Sequence, residues 1–291
     1  MRHFTAVVKP APGGPGSQTL IPLARRLREA GADLEVEYSR SLGHARDLAL
    51  RAAGRGRVVL GVGGDGLAGR VVGALAGTDA VAGIVPAGRG NDFARALGLP
   101  GEVPDLAELL LRAHPVKTDA IEIESAIHQR TTVLGSVYTG VDALANRHAN
   151  TCRALGAASY YAGALRAITT WKPARYRITI DGTVHERTGF TVVAANSGYY
   201  GFGRQIAPNA SVHDGVLDVI VIHHASRLLF FAMMNDLKTG QHIRRPQVEI
   251  LHGHQVRIEA DRHLPYGADG EVEADLPVTA RVLPQALNLL C

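Results

Sequence analysis

Two glycine-rich turns carry the residues best placed to do chemistry. The first, Gly61-Val62-Gly63-Gly64-Asp65-Gly66-Leu67, follows the apolar run Val58-Val59-Leu60 and leads into a helical stretch. Glycines there let backbone N–H groups approach phosphate oxygens, and a helix N-terminus adds a favourable dipole. The segment also satisfies G-x-G-x-x-G, but a dinucleotide fingerprint follows the first strand of its unit, whereas this turn follows the third. Asp65 inside it would also repel a pyrophosphate. A tight strand-to-helix turn with no ligand is the bland alternative. The second turn, Pro86-Ala87-Gly88-Arg89-Gly90-Asn91-Asp92-Phe93-Ala94-Arg95, follows Ile84-Val85. Two such turns at the carboxyl ends of neighbouring strands line one crevice, which is where doubly wound sheets bind ligands. Further along, His213-Asp214-Gly215 and Asp269-Gly270-Glu271 offer carboxylates. Each alone reads equally well as a hairpin turn. Beside two phosphate turns they supply what phosphoryl transfer needs, a metal ligand and a carboxylate to orient an attacking hydroxyl.

These turns need rigid elements behind them. Up to about residue 118 the pattern alternates strand and helix. Ala6–Val8, Leu34–Tyr38, Val58–Val62 and Ala82–Val85 are short and rich in branched residues, and helical stretches Leu20–Ala30 and His44–Ala53 stop at Gly31 and Gly54. Helices are also expected after Gly66, from Asn91 toward Leu97, and over Asp105–Ala113. This predicts a doubly wound α/β domain with a parallel sheet over residues 1–118. Beyond it lie strand candidates Asp119–Glu124, Thr131–Tyr138, Tyr176–Asp181, Thr191–Asn196, Val216–Ile222, Val256–Ala260 and Val278–Val282. Two helical interruptions, Ser159–Thr170 and Ser226–Thr239, divide them. Residues 119–283 therefore read as an antiparallel sandwich or barrel.

Composition limits the function. The 291 residues carry 31 basic and 27 acidic side chains, net +4, with 46% hydrophobic and only 5% aromatic residues. That excludes intrinsic disorder, and the scarcity of aromatics argues against a nucleic-acid platform. The longest apolar run, near Leu228–Met234, is far short of the ~20 residues that span a bilayer, and at helical spacing it reads first as core. The opening residues run into a strand pattern and Pro10, with no secretory signal expected, and two cysteines, Cys152 and Cys291, make no disulfide framework. A cytosolic protein is expected. No lysine sits in a Gly-Lys-Ser/Thr context, which excludes the usual P-loop. His252 and His254 share a strand face without a third ligand at metal spacing, so they read as exposed histidines. Tyr199-Tyr200 could line an acyl pocket or pack a turn.

Gly63-Gly64-Asp65-Gly66 followed by Pro86 to Arg95 resembles the catalytic domain of the diacylglycerol kinase family, which includes sphingosine and ceramide kinases. The resemblance continues in order through Gly135–Asp142, Ala195–Gly201, Ala207–Asp218 and Asp269–Glu271. It implies an ATP- and Mg²⁺-dependent lipid kinase with an N-terminal nucleotide-binding α/β domain and a C-terminal β-sandwich. The active site would lie between them, with the tail 284–291 returning to the first domain. By the same resemblance, nucleotide contacts fall on Lys9, Ser39, Gly63, Gly64, Asp65, Gly66, Leu67, Arg70, Gly88, Arg89, Gly90, Asn91 and Asp92. Glu271, with Asp269 beside it, would accept the hydroxyl proton, and Asp214 would hold Mg²⁺ with the carbonyls of Ser211 and Val216. The partner implied is a diacylglycerol-like lipid met at a membrane surface, with no nucleic acid. Four positions depart from the family pattern: Lys9 for Asn, Leu67 for Thr, Arg70 for Glu and Arg89 for Thr. Arg70 and Arg89 could be added phosphate ligands, since guanidinium pairs bidentately with phosphate, or marks of an altered site. An NAD kinase shares the Gly-Gly-Asp-Gly turn but lacks the Gly-Asn-Asp-Phe and Asp-Gly-Glu patterns. A non-catalytic lipid or nucleotide binder is the rival of a different class.

Overall fold

The computed structural model describes residues 2–10, 15–127, 130–151 and 170–291. The N-terminal lobe is built on four parallel strands, β1 (His3–Val8), β2 (Asp33–Tyr38), β3 (Val58–Gly63) and β4 (Val81–Pro86), in the order β2-β1-β3-β4. Helices α1 (Pro15–Glu29), α2 (Leu42–Gly54), α3 (Asp65–Gly73), α4 (Asp92–Ala96) and α5 (Val103–Arg112) cover it. Alternation along β1 sends Phe4, Ala6 and Val8 to one face and Val7 to the other. The first face packs on Leu23 and Leu27 of α1 and Leu106 and Leu110 of α5; the second packs on Leu48 of α2 and Val71 and Val72 of α3. Each such side chain, fully buried, contributes about 1.5–3 kcal/mol. Ser41 caps α2 by accepting from the His44 N–H at 3.1 Å. That helix ends on Gly54, the expected stop, but the left-handed residue is Gly56, φ 71°.

The strand order fixes where a ligand can enter. From β1 the chain steps to β2 on one side and then crosses to β3 on the other, so a crevice opens at the carboxyl ends of β1 and β3. Both glycine turns leave this edge, from β3 and β4.

The C-terminal lobe contains β5 (Pro115–Ser125), β6 (Thr131–Val133), β7 (Ser136–Gly140), α6 (Val141–Thr151), β8 (Ala174–Ile180), β9 (Thr183–Ala195), β10 (Tyr199–Tyr200), β11 (Arg204–Gln205) and β12 (Leu217–His223). It closes with α7 (Arg227–Asp236), β13 (Val248–Gly253), β14 (Gln255–Ala260), β15 (Pro265–Ala268), β16 (Glu271–Asp275) and β17 (Val278–Leu290). Antiparallel pairing dominates, around one core that includes Val192, Val193, Ile220, Ile222, Ile258 and Tyr266. The lobes share one continuous sheet. Strand β17 pairs antiparallel with β14 and along β5, then places Asn288 and Leu289 parallel to Val81 and Ala82 of β4. Residues 118 and 119 lie inside β5, not in a linker.

The single strand expected over Thr131–Tyr138 is two, because the Leu134, Gly135 and Ser136 amides turn to the Asp269 carboxylate. Phe230 and Met233 of α7 are fully buried while Phe231 faces out, so the apolar run is mostly core. The helix expected from Ser159 falls almost wholly outside the described residues, as does Cys152. No helix among the described residues is long and apolar enough to cross a membrane.

Candidate active site

A cleft of about 340 Å³ opens between the lobes, floored by both glycine turns on one side and by β7, α6, the β10–β11 hairpin and the 269–271 turn on the other. Gly64, Asp65, Gly66 and Leu67 form its wall at the start of α3, where no N-cap side chain caps the helix and the first N–H groups have no partner within the helix. The two turns touch. A Cβ on Gly88 would stand 2.3 Å from Gly64 Cα, and the Ala87 N–H donates to the Gly63 carbonyl at 2.9 Å. Asn91, in the left-handed region at φ 53°, locks the second turn: its Oδ1 accepts from the Gly88 N–H at 2.8 Å and its Nδ2 donates to the Gly88 carbonyl at 3.0 Å.

The aspartates of these turns hold backbone in place. Asp65 Oδ1 accepts from the Phe93 N–H at 3.0 Å, fastening α3 to α4. Asp92, expected as a nucleotide contact, accepts from the Phe202 and Gly203 N–H groups at 3.1 and 2.6 Å, so its oxygens bind the β10–β11 turn of the other lobe instead. Burial, and then the neighbouring Asp65, hold its pKa above the ordinary Asp value.

The two carboxylates expected to receive the proton are not equivalent. Asp269, in the left-handed region at φ 46°, accepts from Leu134 N and Gly135 N at 2.7 Å each and from Ser136 N at 3.3 Å. Its pKa is nonetheless pushed up to about 6, chiefly because burial disfavours the charged form. With both oxygens engaged by amides it braces the 269–271 turn, and it lines the cleft beside Glu271. Glu271 is exposed and leans over the helix start: a Cβ on Gly66 would meet its Cγ at 3.1 Å. Gly69, one turn on, is empty for the same reason, since a Cβ there would meet Asp269 Oδ2 at 2.9 Å.

The other expected residues distribute along the crevice. Arg89 is exposed on the cleft wall, beside Gly90. Leu67 packs over Gly63, where a Cβ would be 3.0 Å from its Cδ2, and also faces the cleft. Arg70 borders a small recess with Gly69, Asp269 and Glu271. Lys9 and Ser39 follow β1 and β2 on the same sheet edge but do not line the cleft; Ser39 is buried, its Oγ donating to the Val8 carbonyl at 3.2 Å. Ser211, Asp214 and Val216 are also outside it. Asp214 is exposed, and its Oδ1 accepts from the Val216 N–H at 3.1 Å. The neighbouring Asp119 receives Gly215 N and Gln285 N at 2.7 Å each. Among the described residues no group of three or more His, Cys, Asp or Glu side chains could hold a metal. One carboxylate with main-chain carbonyls is a hard-oxygen donor set, which suits Mg²⁺ with water completing the shell. His252 and His254 lie instead against Asp218 at 2.8 Å and Asp181 at 3.3 Å.

Sequence reasoning assigned no role to the polar group deep in the cleft. Asp142, half-buried at the start of α6, accepts from Thr191 Oγ1 at 3.0 Å and Tyr200 OH at 3.3 Å, and desolvation raises its pKa. Asn146, one turn later, donates to Tyr138 OH at 2.6 Å. The i, i+4 spacing of Asp142 and Asn146 was available in the sequence, but the helix carrying it was not recognised. Both tyrosines of the Tyr199-Tyr200 pair line the cleft.

Residues 3–123 match the diacylglycerol kinase catalytic domain, and residues 135–291 match the YegS C-terminal NAD kinase beta sandwich-like domain. A diacylglycerol kinase of Mycobacterium tuberculosis is 30% identical over 98% of this chain and 94% of its own length. A probable YegS-like lipid kinase of Chromohalobacter salexigens is 29% identical over 91% and 86%, respectively. The fold is that of a putative diacylglycerol kinase from Bacillus anthracis, with a TM-score of 0.76 at 22% identity over 99% of this chain and 97% of the other. With both halves matched in order and near-complete coverage of its relatives, the chain belongs to the family of diacylglycerol kinases and YegS-like lipid kinases and is a lipid kinase.

Proposed function

We propose that the protein transfers the γ-phosphoryl group of ATP, with Mg²⁺, to a hydroxyl of diacylglycerol or a similar long-chain lipid at a membrane surface. The observation that carries this reading is Glu271 leaning over Gly66 at the open N-terminus of α3, which brings a carboxylate to the phosphate turns. The triphosphate is cradled by the amides of 64–67 and 88–90, with Arg89 beside it. Glycine at 64 and 88 is what lets the two turns close on one ligand. In the transfer, the acceptor oxygen bonds to the γ-phosphorus as its bond to the β-phosphate oxygen breaks. The hydroxyl proton passes to Glu271 and ADP leaves. In a loose transition state the nucleophile is deprotonated late, so Glu271 chiefly orients the hydroxyl until charge develops on it. Asp269 keeps that carboxylate in place through the amides of 134–136. Mg²⁺ held at the 211–216 turn, outside the cleft, would supply bracing. Asp214 with the Ser211 and Val216 carbonyls would hold such an ion where it stiffens the turn against β5 and β17. Phosphorylation of lipid acceptors from γ-labelled ATP, lost in Glu271→Gln, tests the assignment; full activity in that variant would refute it.

A further inference from the structure

Asp142 has one carboxylate oxygen more than its structural bonds use. Thr191 Oγ1 and Tyr200 OH both donate to Oδ2, at 3.0 and 3.3 Å, which ties the start of α6 to β9 and to the β10–β11 hairpin. Among the described residues none donates to Oδ1, and that oxygen is open to the cleft that Asp142 lines. Arg204 stands opposite Tyr200 in the hairpin, so the two side chains share a face, and it is half-buried in the same cleft. Its charge favours the ionised form of Asp142, against the desolvation that opposes it, yet the two make no ion pair. A carboxylate and a guanidinium thus border one space without closing on each other. That space lies at the acceptor end of the cleft. One helical turn beyond Asp142, about 6 Å along α6, Asn146 Nδ2 donates to the Gly270 carbonyl at 3.4 Å, and Gly270 precedes Glu271.

A group that fits between them must donate to a carboxylate and accept from a guanidinium. A hydroxyl does both. An ammonium would meet Arg204 with like charge, and a phosphodiester would meet Asp142 with like charge. We propose that Asp142 and Arg204 form a specificity subsite for a second hydroxyl on the lipid acceptor. The preferred acceptor is then a long-chain vicinal diol of the monoacylglycerol type. Its terminal hydroxyl goes to Glu271 for transfer, and its middle hydroxyl donates to Asp142 Oδ1 and accepts from Arg204. A diacylglycerol puts an ester at the middle position, which offers no proton and leaves the Oδ1 charge without the water it had. This rests on the lipid-acceptor reading above and narrows it.

The test uses the whole protein and water-soluble octyl ethers, whose chains cannot migrate between oxygens: octyl glycerol ether, the same ether with hydrogen in place of the middle hydroxyl, and the same ether with an ammonium there. Transfer from γ-labelled ATP gives kcat/KM for each acceptor in the parent and in Asp142→Ala. Comparison is made between acceptors within one protein, so any loss of folded protein cancels. The parent should prefer the diol to the deoxy ether by at least about tenfold, and Asp142→Ala should bring that preference within about twofold. No preference in the parent would overturn the proposal, as would a preference that survives in Asp142→Ala. A parent that prefers the ammonium ether to the diol would overturn the pairing of Asp142 with Arg204. If neither these ethers nor diacylglycerol is phosphorylated, the lipid-acceptor reading fails on its own. Calorimetric affinities of both proteins for the diol and the deoxy ether, with the same ratios expected, then still decide the subsite.

Discussion

Glu271 and Asp269 stand two residues apart in one turn, yet the backbone gives them different roles. Glu271 is exposed over the phosphate turns, so Glu271→Gln should cut kcat by at least ~100-fold and leave the KM for ATP within about twofold, as steady-state kinetics would show. Asp269 accepts three amides, so Asp269→Asn turns an NH₂ toward donors and should lower stability by roughly 1–3 kcal/mol as well as activity. The pH dependence has a definite sign. With the native pKa pushed up to about 6, the native state holds a proton that the unfolded chain has already released. The stability from this group is therefore full below the ordinary Asp pKa and is lost as pH rises through about 6. Asp92, Asp142 and Asp218 are raised in the same direction by burial and are common to both proteins. Calorimetry should thus show the melting temperature of the parent gaining on that of Asp269→Asn as pH falls from about 7.5 to about 5. A constant gap would contradict it. Arg89 is decided by Arg89→Thr, which restores the hydroxyl common in the family. If the guanidinium binds the triphosphate, the variant loses roughly 10- to 150-fold in ATP affinity, and less for ADP, in titrations at matched salt. Tighter ATP binding in the variant would mark Arg89 as an obstruction.

Elements, more than single side chains, set how close the two phosphate turns come. Gly88→Ala would drive a Cβ into Gly64 Cα at 2.3 Å, backbone against backbone, so the turns must separate. Such overpacking should cost roughly 1–3 kcal/mol in denaturant unfolding and abolish measurable ATP binding, whereas Gly98→Ala, in a left-handed turn with nothing near it, should spare ATP binding. The 211–216 turn is tied to β5 and β17 through Asp119, so Mg²⁺ should raise the melting temperature of the parent and not of Asp214→Ala. Equal responses would remove Asp214 as a ligand. Much of this level was legible in the sequence. Branched runs ending in glycine turns gave the parallel strands, because a strand buried on both faces needs apolar residues throughout and its turn needs backbone access. What was illegible depends on partners far along the chain. Nothing local in Thr131–Tyr138 announces that three of its amides leave the ladder for Asp269, and nothing near Asp92 announces that it will hold residues 202 and 203. The helix with Asp142 and Asn146 was hidden by a strand-like approach, Ser136-Val137-Tyr138-Thr139-Gly140, that runs straight into it.

At the scale of the molecule, the cleft exists because several ties hold the lobes together. Strand β17 runs from the sandwich into the parallel sheet, Asp92 holds the β10–β11 turn, and the 269–271 turn lies on α3. The sequence resemblance covered both lobes in order and so anticipated their pairing. It could not show the distances, since a carboxylate 200 residues from a glycine turn meets it only through the fold. The central claim is that this shared cleft joins ATP phosphates to a lipid hydroxyl at Glu271. The most direct measurement is transfer of label from γ-labelled ATP, with Mg²⁺, across a panel of diacylglycerols, sphingoid bases, ceramide, phosphatidylglycerol and NAD, run in parallel with Glu271→Gln. The account predicts labelled product from diacylglycerol or another long-chain lipid alcohol in the parent protein and at least ~100-fold less in the variant. Label appearing in NAD alone, or in lipid at equal rates from both proteins, would contradict it.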